Sequence, residues 1–381
     1  MSATSKKSLK NLKIALGHDD LTVPFEGGGK VFSAIAEVFP QADVFTSMGT
    51  KERLAEFADR RVLTTFMQKL PFKRKLQLPL APLYPLAFES LDLTDYDLVI
   101  TSSSRFAHGV LTKPETTHIC YMHSPGRMFW EPERYFQDKS WLGKLLTPAL
   151  SYLRLWDYTA AQRVDYFIAN SQNIAKKIKR YYGREAKVIY PFVDLARFQT
   201  AAEADSGRPG DYFLIVTRLA PWKRVDIAVE AAKQAGVNLK IVGAGPDRRR
   251  LKKMVKAMEE GEGKIETLGG VGDEEVNTLY RNCRAFIMTQ EEDFGITALE
   301  AQAMGKPVIA YGAGGALEMV VEGETGEFFK EQTASSLAEV LRKFKAGKYR
   351  AEDCRANAER FSKERFQREI LKFVEETLKT R

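Results

Sequence analysis

Short, strongly apolar runs alternate with longer amphipathic stretches, and the alternation runs through the chain twice. Residues 13–16, 44–46, 98–101, 119–122 and 167–169 read as strands in the first half, and residues 213–216, 239–242, 285–288 and 308–310 in the second. Several are bounded by Gly, Ser or Pro, as strands buried on both faces often are. Helical patterns lie between them, for example over 225–234, 248–259 and 337–344. Repeated strand–helix–strand units close as parallel pairs, so this pattern predicts two α/β domains with helices on both faces of each sheet.

The first series ends near Val188-Ile189-Tyr190-Pro191, and a polar stretch over 201–210 precedes the next strand. The expected organisation is one Rossmann-like domain over 1–190, a second over 191–361, and a terminal helix over 362–381. That helix carries Phe366, Ile370, Phe373, Val374 and Leu378 along one side. No strand follows it, so it must dock on something already built.

A length of 381 residues suits two cores better than one. Three scattered cysteines, Cys120, Cys283 and Cys354, argue against a disulfide framework or a structural zinc site. No apolar segment follows the Lys-containing start, and no run of apolar residues is long enough to span a bilayer. A cytoplasmic chain is therefore expected, or one held peripherally on the inner face of the cell membrane. The net charge of +8 sits in one half: residues 1–190 hold 27 Lys and Arg against 19 Asp and Glu, whereas residues 191–381 hold 31 of each. A basic half suits an anionic membrane surface or a phosphorylated acceptor. Charge alone, without a recognition motif, makes a poor case for nucleic acid.

The segment Glu291-Glu292-Asp293-Phe294-Gly295-Ile296-Thr297-Ala298-Leu299-Glu300 follows a strand and opens a helix expected to reach Met304. Glycine at a helix start leaves backbone N–H groups and the positive dipole end free for an anion such as a diphosphate. Glu292 precedes the helix and Glu300 is expected about two turns inside it, so the two carboxylates can reach different parts of one ligand. An acidic cluster that only complements the helix dipole is the plain alternative. Thr217-Arg218-Leu219-Ala220-Pro221-Trp222-Lys223 follows another strand and puts Arg218 and Lys223 where ligands of parallel sheets collect. Two such cations stabilise a departing nucleoside diphosphate without a metal; a solvated charge cluster is the alternative.

Three further segments follow strands. Glu26-Gly27-Gly28-Gly29-Lys30 reads as a glycine loop that lets backbone approach phosphate or sugar, or as a merely flexible loop. Gly243-Ala244-Gly245-Pro246 lacks the third glycine of a dinucleotide fingerprint and reads as a nucleotide-facing turn, with Pro246 starting the next helix. His123 ends a strand in Tyr121-Met122-His123-Ser124-Pro125-Gly126-Arg127-Met128-Phe129-Trp130. His18-Asp19-Asp20 is the nearest approach to a metal cluster and reads better as a loop after a strand.

Together these segments resemble glycosyltransferase family 4, retaining enzymes of the GT-B fold. The resemblance runs from Gly27 to about Gly326 and includes Asn170-Ser171, Gly314-Gly315 and the stretch from Ala301 to Ala310. It implies two Rossmann-like domains facing a central cleft, with the C-terminal helix crossing back to the first. It implies that Glu300 binds the ribose hydroxyls and Glu292 those of the transferred sugar. Arg218 and Lys223 would bind phosphate, and the backbone of Gly295, Ile296 and Thr297, with Phe294 beside them, would meet the diphosphate. Gly28 and Gly29 would close over it, Gly243 and Gly245 would face the nucleotide, and His123 would line the cleft. No cofactor and no metal are implied beyond the nucleotide-sugar. The sequence His-Ser-Pro-x-Arg-x-x-Trp is similar to a pattern in bacterial mannosyltransferases of surface polysaccharide assembly. That points to GDP-mannose as donor and to a glycan or polyprenyl-diphosphate-linked acceptor, with a UDP-sugar as the alternative donor. Lys30 and Gly126 depart from the family pattern on the acceptor side.

Two rival readings stand beside this one. A catalytically silent protein that sits on anionic membrane would use the basic half and residues 66–88, where apolar and basic side chains interleave around Lys73-Arg74-Lys75. A nucleotide-sugar hydrolase, epimerase or sugar phosphorylase would keep the fold and change the reaction.

Overall fold

The computed structural model describes residues 9–22, 27–71, 79–136, 140–198, 210–257 and 263–380. The chain forms two compact units, one of Met1–Tyr190 with Phe366–Arg381 and one of Pro191–Arg365. The interleaved part of residues 66–88 that carries Lys73-Arg74-Lys75, most of the 201–210 stretch, and Glu26 lie outside the described residues.

The first unit holds seven strands: β1 (Ile14–His18), β2 (Asp43–Thr46), β3 (Val62–Thr64), β4 (Leu98–Ser103), β5 (Thr117–Met122), β6 (Tyr166–Ala169) and β7 (Ala186–Val188). Their order is β3-β2-β1-β4-β5-β6-β7, and every pairing is parallel. Its main helices are α1 (Gly27–Val38), α2 (Ser140–Leu145), α3 (Thr147–Arg163) and α4 (Gln172–Tyr182). All five residues of β1 and all six of β4 and of β5 are buried, as a central strand covered on both faces requires.

The second unit repeats the plan with β8 (Phe213–Val216), β9 (Leu239–Val242), β10 (Ile265–Gly269), β11 (Phe286–Met288), β12 (Val308–Tyr311) and β13 (Gly326–Phe329). The order is β10-β9-β8-β11-β12-β13, again all parallel. The helices that matter below are α5 (Val225–Ala235), α6 (Asp273–Asn282), α7 (Ile296–Ala303) and α8 (Ala334–Lys343). Helices α5 and α8 cover one face over a core of Phe213, Ile215, Ile241 and Leu337.

Four strands lie outside the sequence-based expectation, β3, β7, β10 and β13, and each is the edge of its sheet. Three differences bear on the candidate segments. Gly27, Gly28 and Gly29 form the first turn of α1 instead of a loop. The helix after Gly245 begins at Arg248, two residues beyond Pro246. Glu300 is the fifth residue of α7, little more than one turn inside it and not two.

The terminal helix α9 (Lys363–Thr380) buries Phe366, Ile370, Val374 and Thr377. Phe366 meets Tyr121 edge-on at 5.8 Å between centroids, and Gln367 Nε2 donates to Ala34 O at 3.2 Å. Among the described residues, no helix is long and apolar enough to cross a membrane. Phe366 is fully buried, so Phe366→Ala is expected to cost the first unit about 3–5 kcal/mol. Urea unfolding followed on that unit would show the loss, and an unchanged midpoint would mean that α9 adds nothing to its core.

Candidate functional site

In the second unit the order of strands reverses its winding between β8 and β11, and crevices form at such seams beyond the strand ends. Arg218 leaves the end of β8 and is exposed. The chain then makes a short 3-10 turn, Pro221–Lys223, before α5. Arg224 follows at φ 50°, the one non-glycine residue with positive φ among those described, so the turn is held at a backbone cost. Thr289, just past β11, donates its hydroxyl to Lys223 O at 2.8 Å and ties the two strand ends together. Lys223 Nζ then reaches Glu292 Oε2 at 2.5 Å, and Gln290 Nε2 donates to the same oxygen at 2.5 Å.

The Glu292 loop is clamped from outside. Gly315 N–H donates to Glu292 O at 2.8 Å, and Glu292 bridges Gly314 as parallel strand. A Cβ on Gly314, at φ 62°, would lie 2.5 Å from Glu292 O, so only glycine permits the clamp. Gly295 then opens α7 at φ 105°, with no side chain capping the helix. Its first backbone N–H groups therefore have no side-chain acceptor at the cap and are available to an anion. The Phe294 side chain itself turns inward, buried 5.7 Å from Phe361, so only its backbone belongs to the site.

Glu300 is held from a different helix. Tyr280 of α6 is fully buried and places its hydroxyl 3.0 Å from Glu300 Oε2 and 3.3 Å from Thr297 O. Burial first, then the charge of Glu300, pushes the Tyr280 phenol well above its usual range, so it remains a proton donor. Gly243 and Gly245 serve this region by letting backbone pass. A Cβ on Gly243, at φ 146°, would fall 1.8 Å from Thr217 O, and one on Gly245 would fall 2.1 Å from Leu219 O. The Gly-x-Gly turn thus braces the segment that carries Arg218.

In the first unit the seam lies between β1 and β4. His18 Nδ1 lies 3.0 Å from Ser102 O; a carbonyl only accepts, so that nitrogen carries the proton. Ser102 Oγ pairs with His123 Nε2 at 2.8 Å, and Asn170 Nδ2 donates to His123 O at 3.0 Å. Gly28 closes this group: a Cβ there would meet His123 Nε2 and His18 Cε1, each at 3.6 Å. Gly29 backs onto Arg53 and is buried away from it. Gly126 is required by packing, since a Cβ would stand 2.0 Å from Phe129 Cε2.

Asp19 is a structural anion. It accepts from the backbone N–H groups of Ser104, Arg105, Phe106 and Ala107 at 2.5, 3.0, 2.8 and 2.7 Å. Burial acts to raise its pKa, but the Arg105 guanidinium, His18 and the N–H groups of Phe106 and Ala107 outweigh it and hold the carboxyl below its ordinary value. His18-Asp19-Asp20 is thus spent on the β4 exit loop. Among the described residues, no group of three or more His, Cys, Asp or Glu is placed to hold a metal.

The structure brings Lys223, Glu292 and Gly295 together in one unit, and Gly28 and His123 in the other. Sequence reasoning did not find Tyr280, Gln290, Thr289 or Ser102. Ser102 was within reach, as the polar end of an apolar strand. Tyr280 lies 20 residues before Glu300 on another helix, and only the packing of α6 against α7 reveals it.

Two Rossmann-like parallel sheets of this order define the GT-B fold, and nearly the whole chain superposes on structures that have it. Sucrose-phosphate synthase from Thermosynechococcus elongatus matches with a TM-score of 0.73 at 18% identity, covering 97% of this chain and 100% of that one. Anabaena HepE in complex with UDP and glucose matches at 0.68 and 22%, covering 96% and 100%. Residues 27–197 match the domain family Glycosyltransferase Family 4 and residues 199–361 match Glycosyl transferases group 1, so the chain carries both domains of the GT-B glycosyltransferases. It is 30% identical over 210 residues to D-inositol 3-phosphate glycosyltransferase of Streptomyces avermitilis, across 47% of this chain and 44% of that protein. It is 28% identical over 183 residues to an uncharacterized glycosyltransferase of Methanocaldococcus jannaschii, across 48% and 50%. The chain spans about half the length of the curated relatives it matches.

The depressed pKa of Asp19 sets a pH dependence. Its contribution to stability is present above the ordinary carboxylate value of 3.8 and is lost as pH falls through the lower folded value. Asp19→Asn is expected to lose about 3 kcal/mol at neutral pH and to show a flatter acid limb than wild type. Urea midpoints at pH 7 and in steps below pH 3.8 check both, and equal acid limbs would remove Asp19 as the anchor of this loop.

Proposed function

We propose that this chain is a retaining glycosyltransferase that moves a sugar from a nucleotide-sugar onto a glycan or polyprenyl-diphosphate-linked acceptor. The observation that carries the reading is the uncapped start of α7, flanked before it by Lys223–Glu292 and after it by Tyr280–Glu300. A diphosphate fits the helix start, with Arg218 and Lys223 as counter-charges and the backbone of Gly295, Ile296 and Thr297 as donors. Glu300, steadied by Tyr280, fits vicinal ribose hydroxyls. Glu292 fits hydroxyls of the transferred sugar once the arriving phosphate draws Lys223 away from it. His123, held by Ser102 and Asn170, is the residue that the first unit offers to a sugar.

In this reading the leaving diphosphate is stabilised by Arg218 and Lys223 as the anomeric carbon becomes oxocarbenium-like. The acceptor hydroxyl attacks from the leaving-group side and passes its proton to a phosphate oxygen. No protein nucleophile is needed, and charge placement supplies most of the rate. The His-Ser-Pro-x-Arg-x-x-Trp segment supports GDP-mannose as donor. A UDP-sugar is the second reading, favoured by the likeness to HepE, whose structure holds UDP and glucose.

The test is a thermal-shift panel of GDP-mannose, GDP, UDP-glucose, UDP-N-acetylglucosamine and UDP. GDP species are expected to raise Tm, because a ligand that binds only the folded state must do so. A response to UDP species alone would replace the mannose assignment. No response in folded protein would end the transferase reading and leave the silent membrane binder.

Two variants refine it. Lys223→Ala is expected to lower kcat/KM by about 100-fold or more with Tm almost unchanged; a matching fall in stability would give Lys223 a structural role only. Tyr280→Phe is expected to weaken GDP about tenfold and to leave 2′,3′-dideoxy-GDP nearly as before. Equal weakening of both nucleotides would separate Tyr280 from the ribose.

A further inference from the structure

The outward face of α3 is unlike an ordinary solvent face. Positions 148, 151, 152, 155, 158, 159 and 162 are exposed at helical spacing, while 150, 153, 156, 157, 160 and 161 are buried. The exposed set reads Pro148, Ser151, Tyr152, Leu155, Tyr158, Thr159 and Gln162, without a single charge. Trp141 and Leu145 of α2 extend the same stripe by steps of three and four residues. Trp141 is 65% exposed, Leu145 and Leu155 are each 68% exposed, and Tyr152 is 53% exposed. Five of the eleven large hydrophobic side chains exposed among the described residues lie on these two helices, so the concentration is local and not a general property of the surface.

Charge selects the partner. The only acidic residue of α2 and α3 is Asp157, which is fully buried, whereas Lys144 stands exposed beside Leu145. The half of the sequence that contains both helices carries the entire +8 excess. A second copy docked on this face would bring together two halves that each carry that net positive charge, which opposes association. An anionic bilayer would be drawn by the same field. Tyr and Trp are suited to the headgroup level, with Leu145 and Leu155 entering the acyl boundary.

We infer that α2 and α3 form a docking face for an anionic lipid surface, with Trp141, Leu145, Tyr152, Leu155 and Tyr158 as the inserting side chains. These residues are not those at 73–75, which sequence alone offered for this role. It also stands on surface chemistry and does not depend on the donor assignment.

The test is co-sedimentation of the full chain with vesicles. One set is phosphatidylcholine alone, and the other is an equimolar mixture with phosphatidylglycerol. Wild type is expected on the anionic vesicles and weakly or not at all on the neutral ones. Tyr152→Ser with Leu155→Ser should reduce that binding about tenfold or more with Tm and nucleotide response unchanged, because both positions are exposed. Leu371→Ser, an exposed leucine on α9, should leave binding intact. Absence of wild-type binding to anionic vesicles overturns the proposal. So does binding that survives the double variant and is lost on replacing Lys73, Arg74 and Lys75 by Ala, which would place the contact there. A wild-type dimer that the double variant disperses, with no vesicle binding, would make a second copy the occupant.

Discussion

The residues of the candidate site owe their placement to a seam in each parallel sheet. Where the winding reverses, at β1/β4 and at β8/β11, the loops leaving two neighbouring strands depart toward opposite faces and leave a crevice beyond the strand ends. Polar side chains at those four exits need not be buried in a core, yet they are fixed by strands that are. His18 and Ser102 stand at one seam, and Arg218, Lys223 and Glu292 at the other. Because both sheets follow the same order from their first strand, the two seams are equivalent positions of one plan used twice.

Keeping these exits in place requires unusual backbone, and the two units solve that differently. The first uses a charge: Asp19 gathers four consecutive backbone N–H groups and so organises the loop after β4. The second uses absence of side chains. Gly243 and Gly245 let their turn pass within bonding distance of Thr217 and Leu219, and Gly314 lets its strand lie on Glu292. Charge fixes a loop while leaving room beside it, whereas glycine fixes a loop by letting another backbone touch it.

The central strands were legible because burial on both faces leaves a run of apolar residues with no ambiguity. The four strands that were not legible are the four sheet edges, and their composition shows why. Val62–Thr64 is only partly buried at all three positions, Ala186–Val188 exposes its middle residue, and Ile265–Gly269 and Gly326–Phe329 contain polar and partly buried positions. An edge is covered less, so it carries less of the apolar signal. The candidate site divides in the same way. Lys223, Glu292 and Glu300 could be read locally from strand–loop–helix order. Tyr280 could not, because its partnership with Glu300 is made by two helices meeting. The glycines of α1 misled for a related reason: Gly27–Gly29 has low intrinsic helix preference, and packing of Val31, Phe32 and Ile35 into the core overrides it.

Helix α3 links surface and site through its two faces. Its buried face presents Asp157, which accepts from Trp130 Nε1 at 2.6 Å and Tyr182 OH at 2.7 Å, with His108 Nε2 at 3.2 Å from the other oxygen. Trp130 ends the segment that begins at His123, so one buried carboxylate anchors the far end of the loop whose near end is held by Ser102 and Asn170. His108 continues inward to Ser103 at 3.1 Å, and Ser103 donates to Asp19 at 3.2 Å. Polar groups therefore line up from α3 past Ser103, at the end of β4, to the seam of the first unit. Such a row tolerates little displacement, since a buried carboxylate that loses a donor keeps its full desolvation penalty. The helix is thus held chiefly by its inner face, and Gln162 on its outer side adds one bond, from Nε2 to Tyr182 O at 3.0 Å.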